Sequence, residues 1–429
     1  MKLKILTVAV AFAAAFSATA QETGSGTLRL TLEEAQQYAV EHNATMQNAD
    51  LDVKKAEYDR WNTLSSMLPQ VKAGFDYQNM CGYQMHMGNF NIPMDPNGTF
   101  SVTASVALTG AQIVGTLLQD ISRQMTDITR QQTMQSTRAN VKNVYVSILV
   151  MEQTVGLLDS SLANLESLAA TSQASVDVGA AEQVDADKLQ VQVASMRNSI
   201  NSTRRSLQAL RNTLLLQLGA NVNAQLELVT PVDDILNVDS AMQLLAQGFD
   251  ISKNYNYQLL EQSEKLAKKN VTMAWMNLTP TLTAYYQYSN KVYFGDEGMN
   301  MTPPNMVGAS LSIPIFSSGS NTAAIRSAKI DYQETVNSRR QAEDGLRVQY
   351  NQLCYDLASA LESYDIQSRN LDVTRRVFDN ITEKYNFGRA SSLEVTNAST
   401  DIISAQSNYI QAVMSVISAQ IELENLLNQ

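Results

Sequence analysis

The sequence predicts a mainly α-helical fold assembled from two copies of one unit, each made of a helix, two strands, a long helix and a return helix. The clearest sign is a heptad seam of apolar side chains spaced alternately four and three residues apart: Leu189, Val193, Met196, Ile200, Thr203, Leu207, Leu210 and Leu214. A second seam lies 388 − 179 = 209 positions further on, the distance from Gly179 to Gly388: Ala398, Ile402, Ala405, Tyr409, Ala412, Val416, Ala419 and Leu423. Because both seams follow a glycine in the same register, they predict a duplicated coiled-coil helix.

Four stretches in which apolar and polar residues alternate predict the strands, at about 70–78, 100–109, 281–289 and 306–314. Each half of the chain holds two of these stretches between helical regions. The predicted organisation is a signal peptide at 1–20, a first repeat at 21–218, a connecting segment at 219–240 and a second repeat at 241–429.

The N-terminus has the features of a secretory signal peptide. Lys2 and Lys4 supply a positive end, an apolar run covers 5–16, and small residues at 18–20 form a cleavage site. The rest of the chain lacks the run of roughly 20 apolar residues that a spanning helix needs. Any contact with a membrane is therefore expected from another kind of element.

Composition argues against several classes of function. The net charge of −11 disfavours nucleic acid or an anionic membrane surface as a partner. His42 and His86 are the only histidines, and Cys81 and Cys354 the only cysteines, which leaves little for histidine catalysis or a disulfide framework. The sequence contains no GxSxG, HExxH, Walker or GxGxxG motif. We expect no enzyme activity and no cofactor.

The first repeat begins with a capping box, Thr31 to Glu34, which predicts a helix over 32–66 that stops before Pro69. Its two strands are joined by a loop rich in Gly, Asn, Met and Pro. A helical period without proline then extends over 111–176, a rod of roughly 100 Å at about 1.5 Å per residue. Gly179 ends it, and the return helix runs back to Leu218, so the two helices are expected to pair as an antiparallel hairpin.

The second repeat follows the same order. A helix over 241–276 stops before Pro280, the third and fourth strands follow, and a helical rod over 320–385 leads to Gly388.

Four strands with one apolar face cannot close a sheet by themselves, and open edges are not tolerated in lipid. The smallest spanning barrels have about eight strands, so two chains would supply eight and three would supply twelve. The alternative is a soluble, secreted helical protein with small β-ribbons.

This layout resembles the TolC-type outer membrane efflux protein family over nearly the whole mature chain. The motifs that carry the resemblance are MLP and LTP at the ends of the first helices, ASLSIPIFSSG at 309–319, and the tips DVGAAEQVDADKL at 177–189 and NFGRASSLEVTNA at 386–398. The resemblance implies a homotrimer with a twelve-stranded outer membrane barrel, four strands per chain, on a periplasmic coiled-coil tunnel. It also implies three kinds of partner: a periplasmic adaptor protein, an inner membrane transporter of the RND, ABC or MFS type, and outer membrane lipid.

The resemblance also points to two groups of functional residues. The helix-to-helix turns that meet the adaptor correspond to Val178 and Gly179 in the first repeat, and to Phe387 and Gly388 in the second. Acidic residues that ring the closed periplasmic aperture in the family correspond to Glu394, with Asp185 at the equivalent place in the first repeat; the family's next acidic position is Asn397 here. The simpler interpretation makes both acids solvated residues at helix starts, favoured by the helix dipole.

Met85, His86 and Met87 form a possible Cu(I) or Ag(I) site, because thioether and imidazole donors suit soft metal ions. Methionines that fill a loop at a barrel mouth are the favoured interpretation.

Two classes of function follow: an outer membrane conduit for an export system, or a secreted helical scaffold or adhesin. Within the first class, multidrug efflux, copper or silver efflux and type I protein secretion stay open.

Overall fold

The computed structural model describes residues 27–88, 90–231, 238–294 and 303–428, so the predicted signal peptide lies outside the described residues. The elements of the first half are β1 (Thr27–Leu30), α1 (Leu32–His42), α2 (Ala44–Ser65), β2 (Gln70–Gln78), β3 (Gln84–Met87), β4 (Phe90–Pro93), β5 (Asn97–Leu108), α3 (Gly110–Asp177) and α4 (Gln183–Leu218). Those that follow are β6 (Gln225–Leu228), α5 (Val238–Ala246), α6 (Tyr255–Met276), β7 (Thr281–Tyr293), β8 (Asn305–Ser312), α7 (Ser320–Asn386) and α8 (Ser392–Leu427).

The region predicted as one helix over 32–66 is two helices. Thr31 and Glu34 form the predicted capping box, in which the Thr31 N–H donates to Glu34 Oε2 at 2.8 Å. The chain then leaves the helical conformation at Asn43, whose side-chain oxygen accepts a bond from the backbone N–H two residues on, at 2.8 Å. The prediction of a continuous helix is wrong because Asn43 caps α2, and its amide also donates to the Gln217 carbonyl at 2.6 Å.

The second half contains the same joint. The helix predicted over 241–276 is divided into α5, a single 3-10 turn at Ile251–Lys253, and α6. Asn254 caps α6 through a bond from the Tyr257 N–H at 3.3 Å, and its amide donates to the Leu426 carbonyl at 3.0 Å. Each repeat therefore ties the start of its short helix to the end of its return helix through one asparagine.

The connecting segment predicted at 219–240 holds more regular structure than expected. Strand β6 lies inside it and pairs in parallel with β1, with Thr27 opposite Gln225 and Leu30 opposite Leu228. Helix α5 also begins inside it, at Val238. A small antiparallel hairpin of β3 and β4 lies in the loop between the first two predicted strands.

The four predicted strands form one antiparallel sheet in the order β2-β5-β7-β8, and β7 extends to Tyr293, beyond the predicted end at 289. The register places apolar side chains on one face: Val71, Ala73, Phe75, Tyr77, Phe100, Val102, Ala104, Val106, Leu108, Leu282, Ala284, Tyr286, Val307, Ala309 and Leu311. The opposite face is mostly polar: Lys72, Asp76, Thr99, Ser101, Thr103, Ser105, Thr283, Gln287, Ser289, Lys291 and Ser310. The predicted alternation is confirmed, and β2 and β8 are the two edges of an open sheet.

The long helices α3 and α7 have 68 and 67 residues and pack against α4 and α8 respectively. Both predicted seams face inward: Leu189, Leu214, Val416 and Leu423 are completely buried. Of the described helices, α3 alone is long and apolar enough to cross a membrane by length and composition, with a mean hydropathy of 1.2 over its most apolar 18 residues. Its apolar residues pack against α1, α2, α4, α6 and α8.

Helices α3 and α4 are joined by three ion pairs that recur every seven residues. Arg197 pairs with Glu166 at 2.7 Å, Arg204 with Asp159 at 2.8 Å, and Arg211 with Glu152 at 2.6 Å. From one pair to the next, the residue number of the arginine rises by seven and that of its acidic partner falls by seven. Helices α3 and α4 therefore run antiparallel in a defined register. These pairs are partly exposed, so each is expected to contribute about 0.2–1 kcal/mol.

We expect Arg204→Gln to lower the free energy of unfolding by about 0.2–1 kcal/mol at low salt, and by less in 1 M NaCl, because screening weakens the pair with Asp159. Urea unfolding of the purified protein at both salt concentrations measures the difference. Arg205→Gln is the matched control, since Arg205 is its exposed neighbour and has no ion pair in the described part of the chain. Equal losses for both variants would contradict the prediction.

Candidate functional site

The turn between α3 and α4 is built around a glycine with a left-handed backbone. Gly179 has φ +73°, and its N–H donates to the Val176 carbonyl at 2.9 Å. The Ala180 N–H donates to the Ser175 carbonyl at 2.8 Å, which closes the end of α3. Glycine is required here because other residues reach this region only with strain.

The turn between α7 and α8 repeats this geometry at the equivalent position. Gly388 has φ +68°, and its N–H donates to the Tyr385 carbonyl at 2.9 Å. The Arg389 N–H donates to the Lys384 carbonyl at 2.8 Å. A Cβ on either glycine would meet nothing within 4 Å, so only the backbone conformation constrains these positions.

Both tips present large apolar side chains to solvent. Val178 is 79% exposed and Phe387, its equivalent in the second repeat, is 72% exposed. Exposed apolar side chains at two equivalent turns form a surface suited to contact with another protein. The structure therefore brings the four predicted docking residues into two matching tips, and their role in adaptor docking stays a prediction.

Glu394 closes a capping box at the start of α8. Its Oε2 atom accepts bonds from the Ser391 N–H at 2.7 Å and from Ser391 Oγ at 3.0 Å. The backbone bond first and the side-chain bond second lower the pKa of Glu394, and nearby Lys384 adds to the effect. The pKa of Glu394 is thus lower in the folded chain than in the unfolded chain. The cap therefore stabilises the tip fully at pH values above the unfolded pKa, and this stabilisation is lost as the pH falls through the folded pKa.

Asp185 connects the two tips. Ser392 Oγ, at the start of α8, donates a short hydrogen bond to Asp185 Oδ1, at the start of α4. Lys188 lies 3.6 Å from the same carboxylate. The two predicted aperture acids therefore lie close together at the start of α8. Ser392 donates its hydrogen bond to Asp185, and the adjacent Ser391 donates to Glu394.

We expect Glu394→Ala to lower cation selectivity in single-channel recordings, and Glu394→Lys to reverse it, if three copies of this carboxylate line a narrow aqueous neck. Glu394→Gln is the matched control, because it removes the charge and keeps a side chain that can complete the capping box. The alanine variant should also destabilise the start of α8, whereas the glutamine variant should change selectivity alone. Asp185→Asn should have the smaller effect on selectivity. Unchanged selectivity in the lysine variant would place the constriction elsewhere.

The three predicted metal donors lie on strand β3 of the methionine-rich loop. Met85, His86 and Met87 are consecutive residues of this strand. Met85 is 41% exposed. The described residues contain no cluster of three or more His, Cys, Asp or Glu side chains that could hold a metal ion.

Sequence reasoning missed Ser392 as the link between the tips. The sequence signal for it is its spacing, because Ser392, Ser399 and Gln406 follow one another at intervals of seven residues. The structure shows that all three side chains are buried.

Comparison with known proteins finds a family model that matches part of the chain. Residues 253–429 match the family model described as outer membrane efflux protein. These residues therefore form an outer membrane efflux protein domain in the second half of the chain. The matching family consists of outer membrane channels rather than enzymes, and it places the protein in the outer membrane, extending into the periplasm.

A curated relative of the chain is the outer membrane efflux protein BepC of Brucella suis biovar 1 (strain 1330). The two are 23% identical over 264 residues, which cover 59% of this chain and 55% of BepC. The match thus spans about half the length of that relative.

Solved structures show the fold over most of the chain. CusC superimposes with a TM-score of 0.74 at 17% identity, covering 92% of this chain and 91% of CusC. The CmeC outer membrane channel of Campylobacter jejuni has a TM-score of 0.75 at 12% identity, covering 92% of this chain and 85% of CmeC. The open state of the MtrE outer membrane channel of Neisseria gonorrhoeae has a TM-score of 0.73 at 17% identity, covering 92% of this chain and 88% of MtrE.

Proposed function

We propose that the protein is the outer membrane channel of a tripartite export system. It acts as a passive conduit that receives substrates from an inner membrane pump and a periplasmic adaptor. The observation that carries this proposal is the open four-stranded sheet with one mostly apolar face, set at the end of two helical hairpins. Such a face suits lipid, and its open edges require strands from other chains.

Three copies complete the barrel in this proposal. Four strands per chain give twelve strands in a trimer, an even number within the range of bacterial outer membrane barrels. The edge strand β8 of one copy pairs with the edge strand β2 of the next, which leaves no open edge. The polar face, with Lys72, Asp76 and Lys291, then lines the lumen.

The adaptor binds the tips at Val178, Gly179, Phe387 and Gly388. Two features support this assignment: the tips carry the most exposed apolar side chains of the hairpin ends, and they lie at the far end of the hairpins from the sheet. An inner membrane transporter of the RND, ABC or MFS type energises the export, since a passive conduit supplies no energy itself.

The test is to recover the full chain from the outer membrane fraction, and to examine it on gels with and without heating and in planar bilayers. A heat-modifiable trimer band together with discrete conductance steps would support the channel. A monomer released into the medium without membrane would favour the secreted scaffold instead.

The substrate class is assigned by a deletion strain. Greater sensitivity to antibiotics and dyes indicates small-molecule efflux, greater sensitivity to copper or silver salts indicates metal efflux, and loss of a secreted polypeptide from the medium indicates type I secretion. Complementation with the intact chain is the control in each case.

A further inference from the structure

The loop between β2 and β5 contains a sharp turn at Cys81. Cys81 and Gly82 both have a left-handed backbone, with φ +54° and φ +79°, and the Tyr83 N–H donates to the Met80 carbonyl at 3.1 Å. Positive φ at both central residues is the mark of a type I′ turn, which joins two paired strands. Met80 and Tyr83 therefore lie opposite each other as a cross-strand pair.

Strand β4 adds a third segment to this pairing. The register of β3 with β4 places Gln84 opposite Pro93. The next pair in the same register is Tyr83 with Met94, and the Met94 N–H donates to the Tyr83 carbonyl at 3.1 Å. Tyr83 thus lies between Met80 on one side and Met94 on the other.

Three thioethers share one face of this small sheet. Directly opposed residues of antiparallel strands point to the same face, so Met80, Tyr83 and Met94 form one row, with adjacent Cβ atoms about 4.5–5.5 Å apart. Met85 lies two residues after Tyr83 and is on the same face. It is diagonal to Met94 at a spacing of about 7–8 Å, which long side chains span. The three methionines therefore surround Tyr83.

Cys81 adds a thiol next to this row. Its Sγ atom lies 3.9 Å from the Asn79 carbonyl oxygen, and its N–H donates to Asn79 Oδ1 at 2.8 Å. These contacts hold the thiol against the peptide bond that joins Asn79 to Met80. Cys81 is exposed and is not in a disulfide, so its sulfur is available to a ligand.

The exposure of these side chains distinguishes them from methionines that fill a core. Tyr83 is 61% exposed and Met85 is 41% exposed. Met80 and Met94 are half-buried. Methionines that only filled a gap would be covered, whereas this face is open to solvent.

We propose that this face binds one soft monovalent metal ion, Ag(I) or Cu(I). The ligands are the thiolate of Cys81 and the thioethers of Met80, Met85 and Met94, and such sulfur donors are the ones that soft ions prefer. Binding releases the thiol proton of Cys81 to solvent, because the thiolate is the metal ligand. The ring of Tyr83 adds cation–π attraction. Met85 is the one residue that this site shares with the metal donors predicted from the sequence.

A single copy of the chain supplies the whole site, since all the sulfur donors come from one loop. The loop follows β2 at Gln78, whereas β2 begins at Gln70, just after α2. It therefore lies at the end of the sheet away from α2. In the proposed channel, this is the end of the barrel where an exported ion would leave. That placement rests on the proposed function, whereas ion binding itself does not.

Equilibrium dialysis of the purified full chain against Ag(I) in chloride-free buffer, with the bound metal counted by mass spectrometry, tests the site. Cys354 is replaced by serine throughout, so that Cys81 is the only thiol. We expect one Ag(I) per chain. Zn²⁺ should not bind at the same concentration, because its usual ligands are Cys, His and carboxylates, and this face offers one of them.

Two variants remove the donors. Cys81→Ser, and separately Met80→Leu combined with Met94→Leu, should each weaken Ag(I) binding by about tenfold or more, since even changes beyond the ligands weaken metal sites that much. Leucine keeps the volume of methionine and its packing on Tyr83, so a loss of binding reports the missing sulfur atoms. Met306→Leu is the matched control, because Met306 is also 41% exposed and lies on β8, at the opposite edge of the sheet from β2.

The pattern across the variants decides the matter. Weaker Ag(I) binding in both the cysteine variant and the methionine variant, with unchanged binding in Met306→Leu, supports the proposal. Loss in only one of the two, loss in neither, an equal loss in Met306→Leu, or no Ag(I) bound at all overturns it. The channel is judged separately: a chain that forms no trimer and still binds one Ag(I) would overturn the proposed channel and leave this site standing.

Discussion

Replacing Gly219 with alanine is expected to lower the free energy of unfolding by about 3 kcal/mol or more. Gly219 ends α4 with φ +71°, a conformation that costs other residues roughly 1–2 kcal/mol. A Cβ there would lie 2.3 Å from the carbonyl oxygen of His42, where α1 ends. Since that contact is with backbone, the joint between α1, α2 and α4 must open to relieve it.

Urea unfolding of the purified protein measures this loss. Gly248→Ala is the matched control, because Gly248 also lies in a connection between helices and a Cβ there would meet nothing within 4 Å. It should change the free energy of unfolding by less than about 1 kcal/mol. If the two variants unfold at the same urea concentration, the close approach at Gly219 does not limit stability.

The regular elements could be predicted from the sequence because local periodicity determines them. A heptad seam places one side of a helix against a partner whatever the partner is, and strict alternation gives a strand two distinct faces. The seams from Leu189 and Ala398 and the four strands of the sheet were found in this way. Strand β6 was not, because four residues that pair in parallel with β1, almost 200 positions away, leave no local pattern.

The breaks at Asn43 and Asn254 show a different limit. Both asparagines lie inside patterns that remain helical on either side, so periodicity alone predicts continuity. Each break is fixed by a bond to a distant carbonyl, of Gln217 in one repeat and of Leu426 in the other. Asparagine favours helix caps, which could have raised the possibility, but the partner comes only from the tertiary fold.

Part of the candidate site could be predicted from the sequence, and part depends on the tertiary fold. The tip glycines were predictable because a left-handed turn between two helices favours glycine. The capping role of Glu394 was also readable, since Ser391 precedes it by three residues. The bond between Asp185 and Ser392 joins residues 207 positions apart, so it depends on how the hairpins pack.

Gly388→Val is expected to abolish export while the protein still assembles. A valine at φ +68° is strained by its branched Cβ, so the turn must change its backbone to relieve the strain. The change moves exposed Phe387 and breaks the bond from the Arg389 N–H to the Lys384 carbonyl, which together shape the docking surface.

Assembly should survive Gly388→Val, because the sheet and the buried seams lie away from the tip and a Cβ on Gly388 clashes with nothing. A deletion strain carrying the variant should therefore be as sensitive to the exported compounds as the strain without the gene, with a normal trimer band from its outer membranes. Gly345→Val is the matched control: Gly345 is an exposed glycine inside α7 without positive φ, and its replacement should leave export at the wild-type level. Normal export by Gly388→Val would show that the partner does not read the shape of this tip, and loss of the trimer band would show that the turn supports assembly rather than docking.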